Sequence, residues 1–187
     1  MDRRESLTAQ ALEYVLEHGL VGLSLRPLAA ALGTSDRMLI YHFGSKERLV
    51  SAVLSLAQTQ LGAALGPPGP DVRTLGDMVR HVWSGVIGPV GRQVTRLYVE
   101  TCVLAAQEPD RFGTAPEALR GQWREGVRTG LVAFGVPPDR AGAVTDLILG
   151  TFDGLALDRL VATDPARVDA AAEEFADLID LTPLRLG

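Results

Sequence analysis

The chain has 187 residues, 47% hydrophobic but only 5% aromatic, and a net charge of −5; it can bury one large core or two small ones. No apolar run approaches the roughly 18 residues of a membrane span, and the first twenty residues lack the apolar segment of a signal peptide. The single cysteine, Cys102, offers neither an intrachain disulfide nor a metal cluster, so a cytoplasmic chain without cofactors is expected. The acidity is uneven. Residues 1–48 carry six basic and six acidic side chains, so the whole −5 lies beyond them, where it reads as a solvated face.

In chain order, Leu7, Ala11, Leu12, Val15 and Leu16 fall on a helical repeat, predicting a first helix over 3–18 closed by a left-handed Gly19. Ser24 precedes a short helix, 25–32, with Pro27 in the first turn, where a missing N–H costs little. Gly33 ends it. Ser35 caps a third helix running to Phe43, with Asp36 suited to the positive end of its dipole, and Gly44 stops it. Ser45 caps a fourth, running to Leu65. Gly66-Pro67-Pro68-Gly69-Pro70 marks a loop. Helices are then predicted at 74–87, 92–107, 114–134, 137–162 and 164–179, the last opened by Asp164 and Pro165. The fold class is all-α, with about nine helices.

The pair 25–32 and 35–43 has the size and glycine placement of a helix-turn-helix. Leu28, Ala29, Leu32, Leu39 and Phe43 supply its inward surface; Asp36, Arg37, Ile40 and Tyr41 form an outward face for a major groove. Lys46, the sole lysine, stands at a helix N-terminus, where its ammonium and the free backbone N–H groups suit a phosphate.

The stretch from Gly22 to Leu49, with Tyr41-His42-Phe43-Gly44-Ser45-Lys46-Glu47 at its core, resembles the DNA-binding signature of the tetracycline-repressor (TetR) family. The resemblance implies phosphate contacts from Ser24, Arg26, Tyr41, His42 and Lys46, and base or sugar contacts from Ser35, Asp36, Arg37 and Met38. It also implies a regulator, most often a repressor, that binds palindromic double-stranded operator DNA as a homodimer and is released by a small molecule. Asp36, Arg37 and Ile40 depart from residues common in the family, so the operator sequence does not follow by analogy. Asp36 either accepts from a cytosine amino group or caps its own helix.

The sequence holds no His-x-x-x-His, no Cys-x-x-Cys, no phosphate loop and no serine elbow. No catalytic or metal-ligating residue is therefore expected. The alternative to a regulator is a helical adaptor that works by protein contact and keeps a vestigial helix-turn-helix.

The expected division is a helix-turn-helix domain, 1–48, and a ligand-binding and dimerisation domain, 49–187. In the latter, Ile148, Phe152 and Leu155 form an apolar stripe with Gly150 and Gly154 beside it, and the final helix adds Phe175. Two such helices from each of two chains would make an isologous four-helix interface; otherwise the stripes face their own core. The segment Phe152–Asp158 is similar to the dimerisation helix of many TetR-family members. Met78, Val82, Trp83, Tyr98, Cys102, Trp123, Val127 and Phe134 stand where the resemblance places a pocket for a largely apolar effector. An apolar set at helical spacing is, however, more often plain core.

Overall fold

Helices begin and end where the local chemistry directs. The computed structural model describes residues 2–181, apart from the Gln122 side chain; Met1 and the last six residues of the expected 49–187 domain lie outside the described residues. The described chain runs α1 (Arg3–His18), α2 (Leu25–Ala31), α3 (Asp36–Phe43), α4 (Lys46–Leu65), α5 (Leu75–Ile87), α6 (Pro89–Gln107), α7 (Pro109–Phe112), α8 (Ala115–Ala133), α9 (Pro138–Val161) and α10 (Pro165–Leu181). The fold is all-α. Nine of these helices match the expected ones to within a few residues, and α7 is a single extra turn with Pro109 at its start.

Caps explain the boundaries. Thr74 Oγ1 accepts the Asp77 N–H at 3.0 Å, and Asp77 Oδ2 accepts the Thr74 N–H at 3.0 Å, a reciprocal box at the start of α5. Asp164 Oδ1 accepts from Ala166 N–H at the start of α10. The turn between α2 and α3 is a Schellman motif: Thr34 N–H donates to Ala29 C=O and Gly33 N–H to Ala30 C=O. Gly33 sits at φ 62° there, a conformation that a side chain resists. Gly19 also has positive φ, 84°, but its ψ of 171° lies outside the left-handed helical region expected for it.

The chain forms two compact units, one of residues up to Gly62 with Arg96–Leu119, the other of Ala63–Thr95 with residues from Arg120 onward. In the first, α1, α2 and α3 pack around Leu7, Ala11, Leu12, Val15, Leu28, Ala29, Leu39 and Phe43, all buried. In the second, α10 packs on α5 and α9. Its core joins Val79, Trp83, Leu131, Ile148, Phe152, Val168, Ala172 and Ile179. Among the described residues no helix is long and apolar enough to cross a membrane.

Candidate nucleic-acid interface

The outward face of α3 follows from which side of this two-turn helix is anchored. Leu39 and Phe43, one turn apart, are buried, so the opposite side carries Arg37, Met38 and Tyr41, all exposed, with Ile40 at its edge. Tyr41 is the most open of them, at 78% of its possible surface. His42 is half-buried, its ring edge-on to Tyr41 at 5.2 Å.

The two residues at the head of α3 are engaged locally. Ser35 Oγ accepts the Met38 N–H at 3.2 Å, and Asp36 Oδ1 accepts the Arg37 N–H at 2.8 Å. Asp36 Oδ1 thus satisfies one free N–H of the first turn, while Ser35 holds the N-cap position. Ser24 occupies the N-cap position of α2, but its hydroxyl makes no cap bond. It and Arg26 are exposed.

At the start of α4, Ser45 Oγ accepts the Arg48 N–H at 3.2 Å. The Lys46 ammonium lies 6.0 Å from the centre of the Phe112 ring, a buried side chain contributed by α7. The Arg111 guanidinium lies 5.4 Å from the same ring and grips Glu47 through Nε and Nη2 and Glu108 through Nη1. Glu47 is held below the usual carboxylate range, chiefly by the Ser45 hydroxyl, then by its own backbone N–H and by Arg111.

A second link ties α6 to the helix-turn-helix. Arg96 Nη2 donates to the carbonyls of Leu16 at 3.0 Å and Val15 at 3.4 Å, at the end of α1. Glu100, paired with Arg96 at 3.1 Å, accepts the Leu20 N–H. A cation thus meets the negative end of the α1 dipole, and orphan groups at a helix terminus are satisfied from another helix.

The other expected site residues are placed differently. Ile148 and Phe152 are buried in the core of their own unit, with Leu155 and Phe175 packed against it. Of the two arrangements open to this stripe, these residues lie with α5 and α10 in the unit's apolar interior in the single chain. Gly150 and Gly154 are exposed, with open space where a Cβ would stand. They share their side of α9 with Ala143, Leu147, Leu157 and Val161, spaced alternately three and four residues apart and all exposed.

Among the expected pocket residues, Trp83 is core, 4% exposed, with its ring 6.1 Å from that of Phe152. Val82 and Val127 pack against that core. Met78, Trp123 and Phe134 are half-buried in the same unit; Tyr98 and Cys102, also half-buried, belong to the first unit. A shallow, solvent-open depression is lined by Val86, Arg92, Thr95, Ala156, Arg159 and Leu160, none of them an expected ligand residue. Among the described residues no group of three or more histidines, cysteines or carboxylates is arranged to hold a metal.

The profile described as "Bacterial regulatory proteins, tetR family" matches residues 7–53, from the middle of α1 into α4. Residues 7–53 are a TetR-family helix-turn-helix domain. No curated protein matches the chain in sequence. The whole chain resembles solved TetR-type structures in fold. A transcriptional regulator from Rhodococcus sp. RHA1 is 23% identical, with 95% of this chain and 96% of that one covered and a TM-score of 0.73. The multidrug binding protein EbrR, complexed with ethidium, is 24% identical over 95% and 99%, with a TM-score of 0.70. A TetR variant from Acinetobacter baumannii AYE, in complex with minocycline, is 21% identical over 100% and 99%, with a TM-score of 0.67.

Sequence reasoning missed two sets of residues around the TetR-type domain, Arg96 with Glu100 and Arg111 with Phe112. Both lie far along the chain from the helices they grip, so no local spacing links Arg96 to the end of α1 or Arg111 to Glu47. Only the aromatic Phe112 beside two charges, in Asp110-Arg111-Phe112, was a visible signal.

Proposed function

We propose that this chain is a ligand-responsive transcriptional regulator that binds operator DNA as a homodimer through α3 and the N-terminus of α4. The observation that carries the reading is the exposed row Arg37, Met38 and Tyr41 on a helix whose other side is anchored by Leu39 and Phe43. An arginine in that position can donate two N–H groups to a guanine edge, and Tyr41, Lys46, Arg26 and Ser24 would meet phosphates. A dimer would read two half-sites about one helical turn apart, hence a palindrome.

The dimer would form through the exposed side of α9. Leu147 and Val161 stand 67% and 74% exposed, and Gly150 and Gly154 between them admit a partner helix at close range. Leu178 and Leu181 on α10 are exposed too, at 52% and 79%. Exposed aliphatic side chains at this density are uncommon on a monomer.

The effector would be an organic molecule with a large apolar part, taken by the second unit near Val82, Trp123 and Val127. The EbrR complex with ethidium and the TetR variant's complex with minocycline support this class. Effector that prefers the DNA-free conformation would lower operator affinity, with about 1–3 kcal/mol of coupling typical. Selection of duplex DNA from a random pool, repeated with ethidium or minocycline present, tests the whole reading. A regulator returns an enriched palindrome whose capture falls with one of these compounds. An adaptor returns no enrichment.

A further inference from the structure

We propose that Arg111, outside the helix-turn-helix, sustains DNA affinity by neutralising the Glu47 carboxylate beside Lys46. The inference rests on the DNA-binding reading of Lys46. Glu47 is the second residue of α4, next to the only lysine of the chain. There its charge would oppose the approach of the phosphate that Lys46 and the α4 N-terminus attract.

Arg111 removes that opposition. Its Nε donates to Glu47 Oε1 at 2.8 Å and its Nη2 to the same oxygen, while Nη1 takes Glu108 at 2.5 Å. Two N–H groups of the guanidinium remain beyond these three bonds. The aromatic platform fixes the arrangement. Phe112 is 2% exposed, and the Lys46 and Arg111 cations both lie within about 6 Å of its ring centre. Arg111 is thus a positioning residue for Glu47 and a charge partner to the Lys46 site, reaching it across 64 positions of sequence. Glu47 stays anionic at neutral pH because the Ser45 hydroxyl, its own N–H and Arg111 all favour the charged form. Its charge is therefore always there to be offset.

The test is a mutant cycle on the full chain, read as affinity for a selected operator and for a scrambled duplex, with thermal melting alongside. Arg111→Ala should weaken binding to both duplexes by about threefold per half-site, the size of one unscreened charge several ångströms away in water. Glu47→Gln should tighten binding. The double variant Arg111→Ala with Glu47→Gln should return to near the wild-type affinity, and Arg111→Lys should keep most of it whatever the melting temperature does. Arg111→Ala binding like wild type overturns the inference. So does a double variant as weak as Arg111→Ala alone, because a purely structural strut is not rescued by removing Glu47's charge. Lys46→Ala in the same assay separates the two levels. If it binds normally, the phosphate reading of the α4 N-terminus fails; if it binds weakly while Arg111→Ala binds normally, only the present inference fails.

Discussion

Trp83 donates its indole N–H to Asp169 Oδ1 at 3.2 Å, tying α5 to α10 inside the second unit. The same carboxylate receives Nε and Nη2 of Arg159 from α9, at 2.6 and 3.1 Å. Three helices therefore meet at one anion, beneath which Trp83 packs near Phe152.

Asp169→Asn should destabilise the chain by about 1 kcal/mol, since it leaves the half-buried Arg159 guanidinium and the Trp83 indole N–H with a weaker acceptor. The dependence on pH gives a sharper signature. Arg159, and secondarily Trp83, hold the Asp169 carboxyl below the usual aspartate range. A lowered carboxyl contributes stability that is fully present above its unfolded value, near 3.9, and is lost as pH falls through its folded value. The melting gap between wild type and Asp169→Asn should therefore be flat from pH 5 to 8 and close below about pH 4. A gap that widens on acidification would contradict this.

The two sides of α9 should respond oppositely to substitution. Leu147→Arg or Gly154→Trp, on the exposed side, should convert a dimer to a monomer while leaving the melting of the monomer nearly unchanged. Ile148→Ala, on the core side, should cost about 2–4 kcal/mol of stability through the cavity it leaves. Sedimentation of the three variants at micromolar concentration, with melting curves, distinguishes them. A monomeric wild type would end the dimer proposal.

What the sequence discloses tracks the range of the interaction. The Schellman turn at Gly33, the Thr74 box and the Asp164 cap are settled within a few residues, so they are readable without the fold. Arg37 and Tyr41 on the outward side of α3 were also legible, because Leu39 and Phe43 are spaced one turn apart. Helix α9 defeats the same logic. With Ile148 and Phe152 on one side and Leu147, Leu157 and Val161 on another, it is apolar on two sides, and periodicity cannot say which side meets α5 and α10. Arg111 with Glu47 and Arg96 with the end of α1 were invisible for a different reason: a contact between distant positions leaves no spacing to read.

Ser35 offers a test of local stability kept apart from recognition. Its hydroxyl caps α3, so Ser35→Ala should cost about 1 kcal/mol and weaken all DNA binding modestly. Ser35→Asp, which preserves an acceptor for the Met38 N–H, should restore the melting temperature. If Ser35→Ala melts normally yet changes which base is preferred, Ser35 reads DNA directly.

Arg37 and Lys46 should separate sequence reading from phosphate attraction. Arg37 is exposed in the first turn of α3 with its side chain on the outward row, where a guanidinium reaches base edges. Lys46 begins α4, whose N-terminus faces a phosphate in the proposed complex. Arg37→Ala should therefore lose discrimination at one or two positions of each half-site, by about 1–3 kcal/mol per lost base contact. Its binding to scrambled DNA should change little. Lys46→Ala should weaken operator and scrambled duplexes alike and make the logarithm of affinity fall less steeply with the logarithm of salt, because one counterion fewer is released per half-site. Binding isotherms on both duplexes at four or more salt concentrations resolve the two patterns. Equal losses on both duplexes for Arg37→Ala would reduce it to a backbone contact. The reading of bases would then fall to Ser35, Asp36, Met38 or Tyr41.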